Sequence, residues 1–206
     1  MAGGIGITPM IAMGHRLHAI GAEFRLHYSC HDRENAAYLE ILSNVPWSAH
    51  VELYVSTEGT RAELQGLLND YRSGDHLYTC GPDRYMDAVI SSAQQLGWSE
   101  ESLHREYFSA PETPEYENHS FNLVLQRSGR RVEVSAEQDA ARALIEAGVH
   151  VDLKCSDGIC GVCKCQVLAG EVEHRDFVLS AAQRREAMIL CQSRAAQAGG
   201  EIVLDL

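Results

Sequence analysis

Cys155-Ser156-Asp157-Gly158-Ile159-Cys160-Gly161-Val162-Cys163 is the stretch on which the reading of this chain turns. Three cysteines stand in C-x4-C-x2-C spacing, and a fourth, Cys191, follows at a distance. That is the ligand spacing of a [2Fe–2S] cluster. Three thiolates reach a flat, compact core from one loop, and the fourth closes the cage from elsewhere. Gly158 and Gly161 let the loop curl tightly, because glycine enters φ values that other residues avoid. Amide N–H groups in such a loop can point at sulfur and tune the potential. Zinc is a competing reading, but zinc sites ordinarily use two separated C-x2-C pairs, and only one is present. A disulfide set does not suit a chain read as cytoplasmic and without a signal peptide. Cys165 is expected on a strand over residues 164–168, as a small buried thiol rather than a fifth ligand.

The surroundings of the motif agree with it. Residues 120–126 and 131–134 are β-rich and separated by the hairpin signal Arg127-Ser128-Gly129-Arg130. Residues 139–147 read as a helix with Ala141, Leu144 and Ile145 on one side, stopped by Gly148. Short strands are expected over 189–191 and 202–204. Hairpin, helix, cluster loop, strand, short helix, strand is a β-grasp order. Order and motif together resemble the plant-type ferredoxin family over about residues 118–206.

The first half carries a second pattern, Ala2-Gly3-Gly4-Ile5-Gly6-Ile7-Thr8-Pro9. Thr8 suits a helix cap and Pro9 a first helical position. A helix should run to about Ile20, with Gly21 as its stop. A glycine-rich turn into a helix N-terminus is a ready site for a pyrophosphate, though glycines also mark ordinary tight turns. Apolar strand candidates at 24–29, 51–55, 76–80 and 103–108 alternate with helix candidates at 36–42, 61–68 and 82–96. That alternation predicts a parallel α/β sheet, whose ligands bind beyond the carboxyl ends of the strands. Residues 3–8, residues 28–33 and Cys80-Gly81-Pro82 lie at such ends. Asp32 stands where a carboxylate hydrogen-bonds the ribose diol of NAD. Arg33 beside it could equally meet a phosphate, and Asp32 could be a solvated loop residue; NADH is favoured over NADPH.

Gly3-Gly4-Ile5-Gly6-Ile7-Thr8-Pro9, Cys80-Gly81-Pro82, Glu106-Tyr107-Phe108 and the C-terminal cysteine motif, in that order, resemble the phthalate dioxygenase reductase family, with vanillate O-demethylase reductase subunits as near relatives. The resemblance implies an oxidoreductase in which NAD(P)H gives a hydride to FMN. FMN then passes single electrons to the [2Fe–2S] centre, which reduces a Rieske-type oxygenase or demethylase. It also implies that Gly4, Gly6 and Thr8 line the nucleotide site, that Cys80 sits near the nicotinamide as the catalytic thiol, and that Phe108 lies near the flavin. The bland alternatives are a buried strand-end thiol for Cys80 and a core aromatic for Phe108. The expected fold is α/β plus α+β: an incomplete nucleotide-binding parallel sheet over residues 1–110, a linker at 111–118 containing Pro111 and Pro114, and a β-grasp ferredoxin domain at 119–206.

One departure from the family pattern stands out. The family places a flavin-binding β-barrel ahead of this point, and no apolar strand leads into Gly3. The expectation is therefore a truncated chain or fragment lacking its first strand, with neighbouring strand edges left unpaired. A carrier reading competes with the reductase reading: a ferredoxin module attached to a non-functional nucleotide-binding fragment. The discriminating point is flavin, because a one-electron cluster cannot itself split a hydride.

Composition bounds the rest. The 206 residues are 45% apolar, enough for two small cores. A formal net charge of −12 argues against nucleic acid as a partner. No run reaches the ~18 consecutive apolar residues of a membrane span. Seven cysteines, four of them assigned to the cluster, suit a reducing cytoplasm. His174, within Glu171-Val172-Glu173-His174-Arg175-Asp176, reads as a loop residue.

Overall fold

A computed structural model describes residues 1–111 and 115–206. The chain divides into two compact units, Met1–Tyr107 and Phe108–Leu206. Among the described residues no helix is long and apolar enough to cross a membrane.

The first unit is a five-stranded parallel sheet. Its strands are β1 (Ala2–Gly3), β2 (Leu26–Cys30), β3 (Val51–Val55), β4 (Leu77–Cys80) and β5 (Leu103–Glu106), in spatial order β3-β2-β1-β4-β5. The helices α1 (Ile7–Ala19), α2 (Leu39–Asn44), α3 (Leu64–Leu68) and α4 (Asp83–Gln95) alternate with them. Side chains alternate across a strand, so Leu77 and Cys80 of β4 serve opposite faces. Cys80 joins Ala2, Ile7, Met10, Leu26, Tyr28 and Trp47 in one core. Leu77 joins Leu68, Val89 and Ala93 in another. In α4 the buried positions Met86, Val89, Ile90 and Ala93 form the single apolar stripe of an amphipathic helix.

The expected loss of the first strand is corrected. β1 is only two residues long, yet it holds the central position. Ala2 pairs with Tyr28 and Gly3 with Ser29 on one side, and Ala2 pairs with Cys80 on the other. A two-residue strand suffices because backbone groups on both its sides are used. Two helices also start later than predicted. Tyr38, with φ of 62°, interrupts the backbone before α2, and Glu63 caps α3 by accepting from the Gly66 amide.

The second unit contains β6 (Phe121–Leu125), β7 (Arg130–Val134), α5 (Ala140–Glu146), β8 (Lys164–Ala169), β9 (Val172–Glu173), α6 (Ala181–Arg184), β10 (Ala187–Ile189), β11 (Arg194–Ala195) and β12 (Glu201–Leu204). Its main sheet runs β10-β8-β12-β6-β7, with β12 parallel to β6, and β9 pairs with β11. This is the predicted β-grasp order with one small extra ribbon. Asp139 caps α5 by accepting from the Arg142 amide at 2.9 Å. Ala141 and Leu144 are buried as predicted; Ile145 instead faces out, 44% exposed, because the buried side of α5 continues through Ala140 and Ala143.

The predicted linker is partly something else. Residues 112–114, including Pro114, lie outside the described residues. Arg175 fastens the segment after them. It donates to Asn118 Oδ1 at 2.6 Å and to the Glu117 carbonyl at 3.2 Å, and stacks its guanidinium over the Tyr116 ring.

Candidate cluster and nucleotide sites

In the second unit, strand register places the fourth cysteine. β10 pairs with β8 so that Ile189 opposes Lys164. The chain leaving β10 therefore meets the chain entering β8, and the Leu190 amide donates to the Cys163 carbonyl at 3.2 Å. Cys191 comes into hydrogen-bond contact with Cys163. The loop that carries Cys155, Cys160 and Cys163 leads into β8. Its tight course needs left-handed backbone at Ser156 (φ 63°), Gly158 and Gly161 (both φ 72°). A Cβ on Gly158 would stand 2.9 Å from Gln192 Cγ and 3.3 Å from Asp176 Cα, so the position is closed to larger residues on two grounds.

The electrostatics suit thiolates. The Asp157 amide donates to Cys155 Sγ at 3.4 Å. Burial pushes the Cys155 thiol up, but amides of Asp157, Ile159 and Cys160, with the Cys160 side chain, bring it down to about 7. The Cys191 thiol, with amides around it, brings Cys163 down to about 6. Cys191 itself is pushed up by sharing that hydrogen bond and by burial. Cys155 is half-buried, Cys163 and Cys191 are buried, and Cys160 is exposed. Cys165, on β8, is buried and raised to about 11 by that burial. A donor set of four thiols within a ring of inward amides fits a [2Fe–2S] core. Among the described residues no three His, Cys, Asp or Glu side chains converge on a single-ion position. A two-iron, two-sulfide core is larger than one ion and needs its thiolates farther apart.

In the first unit the structure brings Gly4, Gly6 and Cys80 together. The chain turns at Gly4, with φ of 54°. A Cβ on Gly6 would lie 2.1 Å from the Cys80 carbonyl oxygen and 2.6 Å from the Gly81 nitrogen, so only glycine allows this approach. α1 starts at Ile7, with Gly6 as its N-cap. Thr8 therefore does not cap the helix as predicted. It lies inside the first turn, and its hydroxyl donates to the Ile5 carbonyl at 3.2 Å. Cys80 is buried, and burial followed by the nearby Glu106 holds its thiol above the ordinary value.

Asp32 follows β2 in the first unit, and Phe108 belongs to the second unit. Asp32, in the loop after β2, accepts from the Asn35 amide at 2.8 Å and from Asn35 Nδ2 at 3.0 Å, which lowers its pKa. Arg33 grips Glu58 with two hydrogen bonds, at 2.5 and 3.0 Å. Phe108 opens the second unit and is 60% exposed, so the core-aromatic reading is wrong.

The 2Fe-2S iron-sulfur cluster binding domain model matches residues 123–196, a span that holds all four candidate ligand cysteines. Vanillate O-demethylase oxidoreductase of Acinetobacter baylyi is 40% identical over 180 residues, covering 87% of this chain and 56% of that protein. The carnitine monooxygenase reductase subunit of Acinetobacter pittii is 38% identical over 208 residues, covering 100% of this chain and 67% of its own. The solved phthalate dioxygenase reductase, described as a modular structure for electron transfer from pyridine nucleotides to [2Fe–2S], superposes with a TM-score of 0.54. It is 35% identical, and the match covers 100% of this chain and 64% of that one. The chain belongs to the phthalate dioxygenase reductase family. It spans between 56% and 67% of the length of the curated relatives described here.

Within this phthalate dioxygenase reductase fold, some candidate site residues escaped sequence reading. A cavity of about 180 Å³ opens between the carboxyl ends of β2 and β3 and helix α4, lined by Ser29, Tyr54, Ser56, Thr60, Arg61 and Tyr85. The Tyr85 ring fills the space that a side chain at Gly3 would need. The run Ser56-Thr57-Glu58-Gly59-Thr60-Arg61 after an apolar strand was the available signal. Around the cysteine loop, the buried Asp176 accepts from the Val178 and Leu179 amides at 3.1 and 2.8 Å, and the Phe177 amide donates to the Gly158 carbonyl at 3.1 Å. No spacing rule marks these residues, because their role depends on which loops meet.

Proposed function

We propose that this chain is the reductase component of an oxygenase system, carrying electrons from a reduced pyridine nucleotide, by way of FMN, to a [2Fe–2S] cluster. The cage of Cys155, Cys160, Cys163 and Cys191 carries this reading. A cluster held there takes up and releases one electron at a time. Cys155 and Cys163, with lowered pKa values, are ready to bind as thiolates. The loop amides offset negative charge on sulfur, and buried Cys163 and Cys191 keep water from the inner side.

The first unit is read as the nucleotide-binding domain and the second as the ferredoxin domain. Gly4 leaves room for a pyrophosphate at the start of α1, Gly6 sets the turn there by packing against the end of β4, and Thr8 lies in the first turn. Cys80, at the end of β4 beside the central β1, is assigned to the nicotinamide, and Phe108 to the flavin. Asp32 is assigned to the adenosine ribose. Arg33 is already engaged by Glu58, which favours NADH over NADPH. The terminal acceptor is read as a Rieske-type oxygenase or demethylase, and the compartment as the cytoplasm, where thiol ligands stay reduced.

The carrier-only reading is favoured by one observation: the second unit has its own complete core and holds every cluster ligand. Anaerobic reconstitution followed by absorption and electron paramagnetic resonance separates the two. A rhombic reduced signal with NADH plus FMN supports the reductase reading. The signal with dithionite alone leaves only the carrier. No cluster under any condition overturns both.

A further inference from the structure

We infer that Gln192 is a positioning residue for the cluster: its side-chain amide fixes the peptide plane that aims a backbone donor at Cys155. This rests on the reading that the four cysteines hold a [2Fe–2S] core.

Gln192 directly follows the distant ligand Cys191, and its Nε2 donates to the Ser156 carbonyl at 2.7 Å. The partner is a carbonyl, which only accepts, so the nitrogen of the amide must face it. That carbonyl belongs to the same planar peptide unit as the Asp157 N–H. In a trans peptide the two groups point opposite ways. Gln192 pulls on one side of the plane, and on the other the Asp157 amide meets Cys155 Sγ at 3.4 Å. The plane needs holding, because Ser156 sits at φ 63°, a left-handed conformation unfavourable for a residue with a Cβ. The same side chain also covers Gly158, where an added Cβ would stand 2.9 Å from Gln192 Cγ. One residue thus joins the ligand loop to the segment of the fourth ligand.

Amide donors to sulfur stabilise the more negatively charged, reduced cluster and so raise its potential. Loss of the Gln192 amide frees the Ser156–Asp157 plane, weakens the donor at Cys155 and lowers the potential. Gln192→Met keeps the volume over Gly158 and removes the donor; Gln192→Ala removes both. Both variants are made in the full chain, reconstituted anaerobically, and followed by redox titration with electron paramagnetic resonance. The expected result is a more negative midpoint and shifted g-values in Gln192→Met at wild-type iron content. If Gln192→Ala holds no cluster, Gln192→Met decides.

Loss of the cluster in Gln192→Met, with apo-protein melting as in wild type, also supports positioning. Wild-type midpoint and g-values in Gln192→Met overturn the inference while leaving the cluster assignment intact. So does a cluster-free Gln192→Met whose apo-protein melts early, since that is the behaviour of an ordinary packing contact. A wild-type chain that takes up no cluster overturns the cluster assignment itself.

Discussion

At the scale of single residues, the cysteines separate by role rather than by chemistry. Replacing Cys160 with serine removes a proposed ligand, so the visible absorption and the reduced paramagnetic signal of the reconstituted protein should be lost or severely weakened. Cys165→Ser should leave both nearly intact, because that thiol is buried on β8 outside the ligand set. An unchanged spectrum in Cys160→Ser would sink the ligand assignment. In the first unit the most sensitive position is Gly6. Its added methyl would overlap the Cys80 carbonyl, and backbone cannot retreat as a flexible side chain can. Overpacking of this kind costs about 3 kcal/mol. Denaturant unfolding of Gly6→Ala should show that loss; a midpoint equal to wild type would mean that the turn and the end of β4 do not pack as described.

At the scale of elements, Asp139→Ala removes the side-chain acceptor at the start of α5 and should cost about 1 kcal/mol of unfolding free energy, the usual worth of an N-cap. Denaturant titration of the variant measures it. The helix was legible, because Ala141 and Leu144 stand at helical spacing and Gly148 stops it, although Asp139 was read as part of the helix rather than as its cap. The β-grasp order and the C-x4-C-x2-C spacing were legible for the same reason: both are local patterns. The central β1 was not, because two residues carry no periodicity and its identity comes from the partners on each side. Tyr38 and Ile145 were misplaced because local pattern does not report a backbone break or the direction of the neighbouring sheet. Asp32 and Arg33 were recognised as polar residues at a strand end, but their partners Asn35 and Glu58 follow only from the folded loops. The cavity between β2, β3 and α4 draws residues from three elements, and Gln192 depends on a loop-to-loop meeting.

At the scale of the whole molecule, pH acts in two ranges. Burial lowers the pKa of His27, His104 and His174 in the folded chain. Their unfolded forms take up protons first, so stability is full above about pH 6.5 and falls as pH drops through the lowered folded values. Hydrogen bonds to Asn35, Tyr54, Arg33 and Arg127 lower the pKa of Asp32, Glu52, Glu58 and Asp205 respectively. Their contribution is kept above the unfolded carboxylate values and lost only in more acid solution. The melting temperature of the apo-chain should therefore decline in two stages on acidification; a flat profile between pH 7 and 5 would contradict the histidine burial. Residues 108–206, expressed alone, should bind iron and sulfide as the full chain does, because their apolar core is built from that unit's own residues. Failure to take up a cluster, with the full chain loading normally, would show that the first unit is needed for folding. Finally, of the four proposed ligands only Cys160 is exposed. Tunnelling decays steeply with distance, so on the proposed reading that sulfur is the shortest way out for an electron. Dioxygen, small and uncharged, can reach the same spot without docking. The opening that makes delivery to an acceptor fast thus also sets the rate of leakage, and a chain deprived of its acceptor would bleed its electrons into superoxide.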